Sequence, residues 1–103
     1  MITISARITV NPKDTASYIA GAQKILAPTH AEEGCLAYSI AVDIANPNIV
    51  CIFEHWASED ALMLHLSLPH VGEFLALAAT LDIEDMQVTK YEVSGYGPLQ
   101  LDI

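Results

Sequence analysis

The chain has 103 residues, of which 52% are hydrophobic and 17% charged, and its net charge is −9. That length fits one domain around one core, and the apolar share excludes a disordered chain. Thirteen acidic residues face only Arg7, Lys13, Lys24 and Lys90, a scatter of cations that excludes a nucleic-acid interface or an anionic membrane surface as partner.

No apolar run approaches the ~20 residues of a membrane helix. The opening MITISARITV has no basic region, apolar core and cleavage site in secretory order, so the cytoplasm is the default location. The composition is greasy for a lone small domain, whose surface is large for its volume. A second copy of the chain is the expected cover.

Ile2 to Val10 alternates, with Ile2, Ile4, Ala6, Ile8 and Val10 on one face and Thr3, Ser5, Arg7 and Thr9 on the other. Period two with β-branched residues predicts a strand. Asn11 is read as a helix cap and Pro12 as the first helical residue. Tyr18, Ala22, Ile25, Leu26 and Thr29 follow at helical spacing. Pro28 is expected to kink or end that helix, and Gly34 closes the segment. Cys35 to Asp43 reads as a second strand and Ile49 to Ala57 as a third, joined in an antiparallel hairpin by the intervening IANPN. Ser58 caps the next helix, with Glu59 and Asp60 in its first turn, where the helix dipole favours acids. Its inner stripe is Leu62, His65 and Leu66, and Pro69 breaks it. A further helix is expected from His70 to Thr80, with Val71, Phe74, Leu75 and Ala78 facing in. Met86 to Tyr96 supplies the last strand. The apolar tail, with Leu99, Leu101 and Ile103, is expected to dock on something apolar.

The order is β-α-β-β-α-β with the second helix broken in two. It predicts a single α+β domain of ferredoxin-like type, a four-stranded antiparallel sheet with helices on one face.

A hairpin register with Asp43 opposite Ile49 puts Leu36, Tyr38, Ile40 and Val42 on the face of Val50, Ile52, Glu54 and Trp56. Cys35, Ala37, Ser39 and Ala41 then share the reverse with Cys51, Phe53 and His55. Neither face is polar enough to be left wet, and the simplest cover for the helix-free one is an identical chain. This register pairs Cys35 with Ala57 and Cys51 with Ala41, which holds the two thiols beyond disulfide reach. They read as buried free thiols. Arg7 on the helix-free face needs a carboxylate, Glu92 or Asp43.

The same register converges Trp56, Glu54 and Tyr38 beneath the helix that carries His65. Buried polar groups of this kind must be satisfied. One reading is a structural network in which Glu54 accepts from Tyr38 or His65. The other is a pocket in which His65 is a general base, oriented by Glu54. His70 is read as a cap or a catalytic group, His30 as structural and His55 as an interface residue. His65 and His70 stand five apart across a proline, and spacing places no third ligand beside them, so no metal site is expected. There is no phosphate loop, nucleophile elbow or dinucleotide fingerprint. An enzyme built on this chain is therefore expected to work without a nucleotide or metal.

Three motifs carry a resemblance: E-x-G-C-x-x-Y from Glu32 to Tyr38, D-x-x-x-P-N from Asp43 to Asn48, and E-x-W-x-S-x-x-A-L from Glu54 to Leu62, followed by His65-Leu66, Pro69-His70 and Phe74. This segment resembles the antibiotic biosynthesis monooxygenase domain family. The likeness implies a dimeric α+β barrel, a homodimer in which two sheets face one another. It also implies a cofactor-free monooxygenase that oxidises a quinol, phenol or polycyclic aromatic with O2. In that frame His65 is the base, Trp56 a wall and donor, and Tyr38 and Glu54 orienting groups, with His70, Phe74, Leu62 and Ile52 around the substrate. Haem-degrading members of the same fold require an asparagine near Ala6, which this strand lacks. An isomerase of a phosphorylated autoinducer sugar needs cations, and none is placed on the pocket side. A non-catalytic dimer that binds a small ligand uses the same pocket without turnover.

Overall fold

The computed structural model describes residues 1–102; Ile103 lies outside them. Seven elements follow in order: β1 (Ile2–Val10), α1 (Thr15–His30), β2 (Cys35–Val42), β3 (Ile49–Trp56), α2 (Glu59–Ser67), α3 (Pro69–Ala78) and β4 (Ile83–Glu92). The strands form one antiparallel sheet in the order β2-β3-β1-β4. This is the ferredoxin-like α+β fold. Ile2, Ile4, Ala6, Ile8 and Val10 of β1 meet Tyr18, Ala22 and Ile25 of α1, Leu62 of α2 and Phe74 of α3 in one core. Tyr18 and Phe74 lock α1 to α3 edge to face, with ring centroids 5.2 Å apart.

The hairpin register is the expected one along most of its length: Asp43 N–H donates to Ile49 O, and Tyr38 stands opposite Glu54. It departs at the start of β2, where a bulge sets Cys35, not Leu36, against the core. Cys35 therefore pairs with Trp56 rather than Ala57, and Leu36 turns out to solvent. One extra residue on one strand reverses the facing of everything beyond it. Both thiols are free and half-buried.

Several helix and strand ends also move. Asn11 does not cap α1 and Pro12 is not its first residue. Asn11 Oδ1 accepts from Lys13 N–H at 3.0 Å, an Asx turn that satisfies the donor locally, and the helix starts only at Thr15. Pro28 does not end α1, which continues to His30; near a helix terminus the missing N–H deprives only one carbonyl, that of exposed Lys24. Leu66 and Leu75 are exposed. A bend of 66° separates α2 from α3, so each short helix offers the core only one pair of buried residues, Leu62 with His65 and Val71 with Phe74. β4 runs from Ile83 to Glu92 rather than Met86 to Tyr96, because its ladder is set by β1, from Val10 opposite Ile83 to Ile2 opposite Glu92.

On the helix-free face Arg7 Nη1 donates to Asp43 Oδ2 at 2.8 Å, as the need for a carboxylate predicted. His55 is buried there within its own chain, beneath Tyr96 of the tail, ring to ring at 4.5 Å. Leu99 and Leu101 remain exposed.

Candidate active site

Ser58 starts α2: its Oγ accepts from Ala61 N–H at 3.1 Å. Glu59 and Asp60 occupy the first turn, and three-residue spacing then points Leu62 and His65 to the same side. His65 is 3% exposed. Its ring lies 4.5 Å from that of Trp56 and 5.7 Å from that of Tyr38, centroid to centroid. The four residues expected to converge do converge.

Their bonds differ from expectation. Glu54 accepts neither from Tyr38 nor from His65; it accepts from Trp56 Nε1 at 3.0 Å. The carboxylate that meets His65 is Glu32, whose Oε2 lies 2.7 Å from His65 Nδ1. The same oxygen lies 2.9 Å from His70 Nε2. His70 therefore pairs with a carboxylate instead of capping exposed amides. A carboxylate can only accept, so Nδ1 of His65 carries the proton, and in the neutral ring Nε2 keeps its lone pair. No other described group hydrogen-bonds that Nε2.

Glu32 was the residue that spacing could not reveal. It stands 33 positions from His65, in the turn after α1 where its N–H donates to Thr29 O. Gly34 at φ +87° turns the chain back, and Ala57 N–H ties that turn to the end of β3. Its one sequence signal is its place at the head of the E-x-G-C-x-x-Y motif.

Burial raises the Glu54 carboxyl above its ordinary range, and the Trp56 N–H and the nearby His65 partly offset this. Burial also raises the Tyr38 phenol, with the Glu54 charge adding to it. His30 is structural as read: its Nε2 lies 2.7 Å from Tyr38 O, fixing the strand that carries the phenol.

Beside this cluster a groove of about 250 Å³ opens between α1 and α3, lined by Gly21, Lys24, Ile25, His70, Glu73, Phe74 and Leu77. It takes in His70 and Phe74 of the residues expected around a substrate. Leu62 and Ile52 sit in the core instead, and Trp56 is wholly buried. Lys24 brings a cation to the groove wall, where none was expected.

A family model described as antibiotic biosynthesis monooxygenase matches residues 1–77. The chain belongs to that family. A curated relative from Bacillus subtilis (strain 168), named "Putative monooxygenase YcnE", is 28% identical over 94 residues, which cover 91% of this chain and 99% of the relative. Among solved structures, an antibiotic biosynthesis monooxygenase family protein of Deinococcus radiodurans superposes with a TM-score of 0.87 at 26% identity, covering 97% of this chain and 99% of its own. One from Nitrosomonas europaea gives 0.86 at 14% identity, over 92% and 100%, and shows the shared fold alone. Family membership places the chain among proteins named for monooxygenase chemistry, and the resemblance drawn from its three motifs holds.

Proposed function

We propose that this family member is a cofactor-independent monooxygenase of a small phenol or quinol, acting as a homodimer, with His65 as its base. The observation that carries the reading is the Glu32–His65 bond beside Trp56. It fixes a buried imidazole with one nitrogen donated and the other free to take a proton. Glu32 is the positioning residue, and Trp56, itself held by Glu54, is the ring against which an aromatic substrate stacks.

The chemistry balances without a reductant. A phenol that becomes a quinone gains one oxygen atom from O2, and its two lost hydrogens leave with the other oxygen as water. His65 Nε2 takes the hydroxyl proton, and the resulting phenolate is electron-rich enough to meet O2. A dry surround keeps the anion reactive. The groove volume of about 250 Å³ lies below that of drug-sized sites and above a one-ring cavity of roughly 150 Å³, which favours substrates of one or two rings. Because His65 and Trp56 are both buried, the groove must widen past His70 for a substrate to reach either ring.

The test is oxygen uptake by the purified protein with one- and two-ring phenols and quinols, in air and under argon. His65→Ala, checked for folding by circular dichroism, is expected to lose roughly 10²–10⁴-fold in rate. Trp56→Phe is expected to weaken substrate binding. Uptake indifferent to His65→Ala overturns the assignment. Saturable binding of an aromatic with no uptake at all identifies a non-catalytic binder instead.

A further inference from the structure

We propose that Glu32, His65 and His70 form a binding site for a first-row transition-metal dication of the zinc type. Glu32 Oε2, His65 Nδ1 and His70 Nε2 face one another, with all three atoms within 4.8 Å. Each imidazole approaches the same oxygen, at 2.7 Å and 2.9 Å. Two ring protons now point at one carboxylate oxygen, and a dication replaces both.

The fit needs modest movement. Donors bound at about 2.0–2.1 Å in a tetrahedral site stand roughly 3.3 Å apart, so the Glu32 carboxylate withdraws by about half an ångström and the two imidazole nitrogens, which lie within 4.8 Å of each other, close on the ion by small side-chain rotations. On a straight helix, residues five apart point roughly 140° away from each other. The 66° bend between α2 and α3 removes that divergence and brings the two imidazoles to 6.1 Å, centroid to centroid.

Two imidazole nitrogens and one carboxylate oxygen are borderline ligands. They suit Zn²⁺, Co²⁺, Ni²⁺ or Fe²⁺ and disfavour Ca²⁺ and Mg²⁺, which take mainly oxygen. Three protein ligands leave a coordination position open. The site has an entrance, since His70 is the most exposed of the three and lines the α1–α3 groove. Glu73 on the same groove and the chain's net charge of −9 attract a cation, against Lys24 alone on the wall.

The site goes beyond the proposed reaction and constrains it. A metal on Nδ1 of His65 leaves the ring proton on Nε2, so a loaded site and a basic His65 exclude each other.

The test is equilibrium dialysis of the whole protein with Zn²⁺ and visible absorption with Co²⁺, each at a fixed pH. One Co²⁺ per chain is expected, with ligand-field bands of a four- or five-coordinate ion. Ca²⁺ at the same concentration is expected to leave the spectrum unchanged. His70→Ala and Glu32→Gln, both checked for folding, are expected to weaken binding by more than the roughly 10–100-fold typical of losing an outer partner. Cys51→Ser, on the other face of the sheet, is expected to bind as the parent does. Binding that survives both ligand substitutions, competition by Ca²⁺, or no binding at all overturns the proposal. Oxygen uptake is a separate readout that rests on the base role of His65. If Zn²⁺ binds stoichiometrically yet leaves turnover intact, the metal site stands and the base assignment falls.

Discussion

Gly34 sits at φ +87°, and a Cβ there would stand 2.7 Å from Ala61 Cβ. Two costs add at this position, left-handed backbone and a methyl pressed on a helix. Gly34→Ala is expected to lower stability by about 1–3 kcal/mol, read from the urea midpoint. Because Gly34 closes the turn that presents Glu32, the variant is also expected to lose activity beyond what its stability explains. Tyr18 offers a test by pH. Burial pushes its phenol up to about 12, above the usual value of about 10 in the unfolded chain. The folded state then keeps a proton that the unfolded state loses, so stability falls as pH rises from about 10 through about 12. Tyr18→Phe is expected to flatten that decline in alkaline urea titrations; an unchanged slope contradicts the burial account. At this scale the sequence revealed types better than partners. Strand parity was enough to place Tyr38, Glu54 and Trp56 together, because side chains alternate with period two. Glu32 lay outside that logic, since a turn residue has no period to follow, and only the folded turn brings its carboxylate to two histidines.

The elements were legible where a pattern repeats and less so where it stops. β1 alternates through nine residues, and its extent was readable in full. The bounds of β4 were not, because nearly all of that strand is exposed and it carries little alternation of its own; pairing with β1 determines its ends. The bulge at Cys35–Ala37 was likewise invisible, as an extra residue changes no composition. Capping carried a clear local signal at Ser58 and a misleading one at Asn11, whose side chain spends its oxygen on a turn. Ser58→Ala removes the acceptor of the Ala61 N–H and is expected to cost about 1 kcal/mol, measured by thermal melting. Since α2 carries His65, the same variant is expected to loosen the Glu32 pair. A stability unchanged within error would show that α2 is held by packing alone.

For the whole molecule, the notable feature is how much of the sheet stays bare. The helix-free face exposes Phe53 and Tyr91, while Met86 and Val88 of β4 are exposed on the opposite side of the sheet. A long exposed edge strand with apolar side chains on both faces is a liability unless it is covered. The proposed second copy, packed sheet to sheet, would cover the part of this surface on the helix-free face, Phe53 and Tyr91. Light scattering is expected to give twice the chain mass, and Phe53→Asp is expected to shift it to the monomer mass; a monomeric parent at micromolar concentration contradicts the homodimer. That monomer is also expected to lose activity if the partner's sheet helps to stiffen the strands bearing Tyr38, Glu54 and Trp56. None of this reaches the central claim, which is that the Glu32-held imidazole of His65 takes a proton so that O2 can oxidise a phenol. The measurement closest to it is turnover of an active phenol under ¹⁸O2, with mass spectrometry of the quinone. One labelled oxygen per product is expected from the parent protein, together with labelled water, and almost no product from His65→Ala. An unlabelled quinone, or a labelled one formed as fast by His65→Ala, contradicts the account.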